Sequence, residues 1–280
     1  MLDREEYIEQ AYFFRVLGER MERNLATQDL LVALREEILA TTKLPMALDF
    51  LASELRLSGV FAPAMTRLAH YFTTFQTFVV AEAERERGRF DFLVALQILE
   101  REAKYRAEGA TRPGMFVYQF EAICRNRLGY DRGLEAMAHD TLYDADWRDW
   151  ILAVRRQVGF VDFADLVYLR SEHYAQTRAR QGELPSDKPI LFGEKEGRIA
   201  LANRQKEPLY LFSALERQLN YPSVPRPKPV DESRWVLPNL IRRVERLESR
   251  IKLMEEEARG GLDITKFYGQ PAPAPDDLME

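Results

Sequence analysis

Residues 144–159 read DADWRDWILAVRRQVG, and this stretch decides the fold class. Trp147, Ile151, Val154 and Val158 follow one another at intervals of four, three and four, which places their side chains on one face of a 3.6-residue helix. Asp144 and Asp146 stand at the start of the run and Arg155 and Arg156 near its end, so both sets of charges complement the helix dipole before Gly159 closes the segment.

The same grammar extends outwards in both directions. Towards the N-terminus, Ala11, Phe14, Leu17, Met21 and Leu25 form one stripe, and Thr27 offers a hydroxyl cap for a second helix carrying Leu30, Leu31, Leu34 and Ile38. Pro45 and Pro63 suit first turns, where a missing N–H has no intrahelical partner to lose. Thr73 or Thr74 caps a helix through Phe78 and Val79, and Phe92, Leu96, Leu99 and Ala103 define another. Asp162 begins a helix with Phe163, Leu166 and Leu169 facing inwards. The fold class predicted is mainly α, with a multi-helix globular body over residues 1–180.

Beyond residue 180 the texture changes. Residues 189–201 hold two short apolar segments around a charged turn bounded by Gly193 and Gly197, which predicts a small β-hairpin. With a helix at Leu209–Leu219, the hairpin makes a region 181–220 packed on the body. Four prolines between Tyr221 and Val230 predict an extended linker over 221–235. The stretch 260–280, with alternating Pro and Ala and then acids, is read as a disordered tail.

Between linker and tail, residues 236–259 predict a coiled-coil-like helix. Val244 and Ile251 fall at heptad position a, and Leu240, Leu247 and Met254 at d, a distribution that favours a parallel two-stranded coil. Arg243 and Arg250 then occupy g while Glu248 and Glu255 occupy e, so a parallel homodimer sets Arg243 against Glu248 of its partner and Arg250 against Glu255. Five large side chains gain about 10 kcal/mol gross on burial, and ordering the segment costs a comparable amount, so weak self-association is expected. The competing reading is a helix that folds back on its own body.

Composition narrows the chemistry. Forty Lys and Arg against 45 Asp and Glu give a formal charge of −5, which disfavours nucleic acid as the main partner. One cysteine, Cys124, permits no intrachain disulfide, and the acidic N-terminus and short apolar runs predict a cytoplasmic protein with no membrane span. No phosphate-binding loop, nucleophile elbow or zinc-protease motif is present, and the three histidines are scattered, so no cofactor or metal is expected.

Three candidate sites remain. Glu172 and His173 lie at the end of a buried stripe and are the candidates for acid–base chemistry. Arg125, Arg127 and Arg132 form a candidate anion patch beside Tyr118 and Tyr130, with Glu121, Asp131 and Glu135 near enough to neutralise it. Cys124 shares the stripe of Phe116, Phe120 and Ile123 and reads as a packing residue. No motif assigns an activity. The reading favoured is a non-enzymatic oligomerising scaffold or adaptor with a protein partner; the alternatives are an enzyme with an unfamiliar cleft and an anion or nucleic-acid binder using the arginines.

Overall fold

The computed structural model of the chain describes residues 2–22, 27–85, 90–184, 188–227 and 233–258. These residues form fourteen α-helices and no β-strand, only two isolated bridges, Val158 with Val161 and Ser171 with Phe192. The chain is therefore mainly α. It divides into two units, Met1–Pro227 and Lys228–Glu280.

The first unit begins with α1 (Arg4–Met21), α2 (Thr27–Glu37), α3 (Leu44–Ser58), α4 (Ala62–Arg67) and α5 (Thr74–Ala83). It continues with α6 (Phe92–Ala107), α7 (Arg112–Asn126), α8 (Tyr130–Ala138), α9 (Ala145–Gln157) and α10 (Phe163–Tyr168). It ends with α11 (Glu172–Arg180), α12 (Glu194–Ala202) and α13 (Pro208–Leu219), and α14 (Ser233–Ala258) belongs to the second unit.

Side-chain caps fix many of the helix starts. Thr73 accepts from the Gln76 N–H and Gln76 answers the Thr73 N–H, while Asp91, Thr111, Asp144, Asp162 and Ser171 each accept from an N–H of the turn they precede. Each such cap contributes about 1 kcal/mol. Gly59 ends α3 with φ +75°, a backbone setting that favours glycine.

Helix α1 packs along α6, α2 along α3, and α8 along α9. At the centre lies α7, buried on nearly every side from Gly114 to Ile123, which explains why it lacks the one-sided pattern of a surface helix. Phe116 on α7 gathers the aromatic core: its ring centroid is 4.6 Å from that of Trp150 and 5.7 Å from that of Trp147. The apolar stripe of α9 faces this core, with Trp147, Ile151 and Val154 buried and Val158 half-buried at the rim. Leu25 lies outside the described residues.

The expected hairpin over 189–201 is replaced by different structure. Leu191 and Phe192 donate their N–H groups to the Arg170 carbonyl (2.8 and 3.1 Å), and the Glu172 N–H donates to the Phe192 carbonyl (2.9 Å), so this segment pairs with residues 170–172, where α10 leads into α11, not with 198–201. Phe192 holds it there, its ring 5.3 Å from Trp147 and 5.2 Å from Trp150. Residues 194–202 form α12 instead, started by Gly193 and favoured by Glu194 and Glu196 in its first turn.

Gly197 is thus a helix-packing glycine and not part of a turn. A Cβ there would stand 2.2 Å from Ser171 Oγ and 2.8 Å from His173 Cβ, so α12 approaches the start of α11 only because that carbon is missing. Gly197→Ala is expected to destabilise the chain by about 1–3 kcal/mol through overpacking, despite the better helix propensity of alanine. A thermal unfolding scan checks this, and a variant as stable as the parent would contradict the packing described.

The segment expected to be a linker starts on the helical unit. Tyr221 and Val224 are buried, the Tyr221 hydroxyl donates to Glu121 Oε2 (2.6 Å), and Asn126 Nδ2 donates to the Pro225 carbonyl (3.2 Å). Residues 228–232 of that linker and the tail over 260–280 lie outside the described residues. Helix α14 starts at Ser233, so Pro238 sits inside it.

Candidate functional site

Helix α14 has 26 residues, a length of about 39 Å at 1.5 Å per residue. Its seam is open to solvent: Leu240 is 55% exposed, Val244 45%, Leu247 53%, Ile251 50% and Met254 60%. Ile241, at an e position beside them, is also 50% exposed. The contrast with α9 is instructive, because α9 carries the same alternation of threes and fours with Trp147, Ile151 and Val154 at 4% or less. The same periodicity is buried in α9 and exposed in α14. Arg243, Glu248, Arg250 and Glu255 flank the seam and are exposed.

Arg125 and Arg132 of the candidate anion patch are held in ion pairs. Arg125 is half-buried and paired with Glu121, which also accepts the Tyr221 hydroxyl, and Arg132 Nη1 meets Glu82 Oε1 at 3.2 Å. Arg127 is exposed in the left-handed conformation that ends α7 (φ 54°). Asp131 and Glu135 serve Arg155 instead, at 2.6 and 3.3 Å. Two of the three guanidiniums are therefore engaged by carboxylates of the same chain.

Glu172 is exposed at the first position of α11, and His173 is half-buried with its ring edge-on to Tyr168 at 6.2 Å. A groove of about 600 Å³ between α4, α5 and α8 is lined by Thr66, Thr77, Arg132, Glu135 and His139 among others, and a pocket of about 350 Å³ surrounds Cys124. Neither is lined by Glu172, His173 or Arg125. In the groove, His139 Nδ1 lies 2.8 Å from the Glu135 carbonyl, Arg132 is paired with Glu82 and Glu135 with Arg155. At Cys124, burial pushes the thiol up to about 11, with a hydrogen bond from Tyr130 opposing that rise, so it stays protonated near neutrality.

The sequence did not single out the most buried charges. Arg106 on α6 binds Glu102 Oε1 at 2.9 Å and the Asp140 carboxylate, and Gln119 on α7 donates to Glu102 at 2.9 Å. These ionic side chains are 3% exposed or less, which seals them from any substrate. Among the described residues no group of three or more His, Cys, Asp or Glu is placed to hold a metal ion, and no helix is long and apolar enough to cross a membrane. Comparison with protein-family models, with curated proteins and with solved structures finds no match to this chain.

Proposed function

We propose that this protein is a homo-oligomerising scaffold in which α14 joins two copies as a parallel two-stranded coiled coil. The observation that carries the reading is the exposure of the seam: five large apolar side chains at heptad spacing, each about half open to water in the single chain. A contiguous apolar stripe rimmed by charge is a common mark of an interaction surface. Self-association of a 26-residue helix gives that stripe a partner of matching length and periodicity. The flanking residues favour the same occupant, since Arg243 and Arg250 at g meet Glu248 and Glu255 at e of an identical parallel helix. The helical unit is then what the coil brings together in pairs, for a protein partner to engage.

Weak association is the expected regime, because the seam is short and ordering it opposes burial. Sedimentation velocity on the full chain across a wide concentration range tests the proposal. The weight-average mass should rise from the 32.7 kDa of one chain towards twice that value. A mass fixed at one chain up to the highest soluble concentration removes the scaffold reading.

A further inference from the structure

We propose that the pocket beside Cys124 is a binding site for a flat aromatic small molecule that is uncharged or cationic. This inference is independent of the coiled coil, because every group it uses lies in the first unit.

The pocket holds about 350 Å³, within the range of sites that take small organic ligands. Its floor is a triangle of rings contributed by three helices. Phe120 of α7 and Phe163 of α10 stand 4.5 Å apart, Phe212 of α13 is 5.7 Å from Phe163, and Phe120 and Phe212 are 6.1 Å apart. Tyr130, at the start of α8, adds a fourth ring 6.4 Å from Phe120. Rings set at such spacings offer faces and edges to a guest ring, which suits a planar guest better than a branched aliphatic one.

The rim carries the more unusual feature. Phe160 is 91% exposed, the most exposed of the large apolar side chains among the described residues. It is not a frayed residue: Gly159 turns the chain at φ +89°, the Phe160 and Val161 N–H groups both donate to the Gln157 carbonyl at 3.0 Å, and Val158 bridges Val161. Asp162 anchors the far side of the turn by accepting the Ala164 N–H (3.0 Å) and the Gln205 N–H (2.6 Å). An ordered turn thus holds a phenyl ring in water at the mouth of an aromatic pocket.

Charge selects among aromatic guests. Asp162 is the one formally charged residue lining the pocket, and its two oxygens are already fixed by backbone N–H groups. Its field opposes a carboxylate or sulfonate guest and favours an ammonium. Inside, the Tyr130 hydroxyl and the Cys124 thiol are the polar side-chain groups that line the pocket beyond the rim.

The single cysteine makes the site addressable in the full chain. Indole and tryptamine are titrated calorimetrically, with indole-3-acetate as the anionic comparator, while N-ethylmaleimide modification of Cys124 is timed with and without each compound. Expected are saturable binding of indole and tryptamine at one per chain, weaker binding of indole-3-acetate, and slower modification of Cys124 at saturation. Phe160→Ala should weaken binding about tenfold, the effect of losing one ring–ring contact, with an unchanged thermal midpoint because that ring is in water. Absence of saturable binding at millimolar indole and tryptamine overturns the proposal. Binding that leaves Cys124 reactivity unaltered, or that Phe160→Ala does not weaken, overturns it equally, since the guest then sits elsewhere.

Discussion

Replacing Arg106 by methionine is expected to cost the helical unit about 3–5 kcal/mol, the usual penalty for removing one partner of a buried ion pair. Arg106 serves two carboxylates at once, Glu102 one turn back on α6 and Asp140 after α8, and all three side chains are buried. Gln119 donates to Glu102 and accepts from the Tyr143 hydroxyl (2.9 Å each), and the Leu142 N–H donates to Asp140 (3.0 Å). The guanidinium therefore ties α6, α7 and the segment 140–143 into one polar knot. The knot sets two carboxylates against one guanidinium, and Glu102 Oε2 accepts no hydrogen bond from a described residue.

Without Arg106, two carboxylates remain in a site closed to water, and methionine fills the volume without supplying a charge. Denaturant unfolding at neutral pH, followed by far-ultraviolet circular dichroism, measures the loss. A drop below about 1 kcal/mol is the range of an exposed pair and contradicts a buried one. Removing all three charges together, as Glu102→Gln, Arg106→Met and Asp140→Asn, should recover much of the stability. The cost lies in leaving charges unmatched, so the three changes are not additive.

That knot also shows where reading the chain by periodicity stops. Glu102 and Arg106 are four residues apart on a helix, the same signature as the solvated pair Arg15 and Glu19. Only Asp140, 34 residues beyond Arg106, makes the difference, and nothing local in the sequence announces it. By contrast, the stripes of α6 and α9 and the helix starts at Thr73 or Thr74 and at Asp162 were legible, because helix rhythm and capping are local properties. The hairpin expected at 189–201 failed for the opposite reason. Two glycines and a charged run resemble a turn locally, yet Gly193 starts a helix and Gly197 makes room for Ser171, a neighbour from another element.

The candidate sites divide along the same line. The α14 seam could be named residue by residue because heptads are one-dimensional. Phe160, Phe163 and Phe212 could not be assembled into a pocket, because they converge from a turn and two helices. The hint was an apolar Phe160-Val161 pair directly after Gly159, where a turn ordinarily carries polar residues.

Ile251→Asp in the full chain is expected to abolish self-association. Ile251 lies at an a position, so in a parallel pair the two aspartates face each other across the symmetry axis. Each chain forfeits about 2–3 kcal/mol of apolar burial, and the like charges lose hydration on top of that. Two copies together weaken the dimer by about a thousandfold or more, which for a short seam means monomer at every accessible concentration. The helical unit should keep its thermal midpoint, since Ile251 is half exposed in the single chain and supports no core there. Orientation is tested by Arg243→Glu with Arg250→Glu. In a parallel dimer these acids face Glu248 and Glu255 of the partner, turning four attractive contacts into repulsive ones and weakening association by about a thousandfold at roughly half a kcal/mol per contact and sign. In an antiparallel dimer g faces g and e faces e, so like charges already oppose one another and the same change leaves the affinity nearly unmoved. Sedimentation of the two variants beside the parent separates the cases: a dimer that survives Ile251→Asp rules out this seam, and one indifferent to the charge reversal rules out the parallel arrangement.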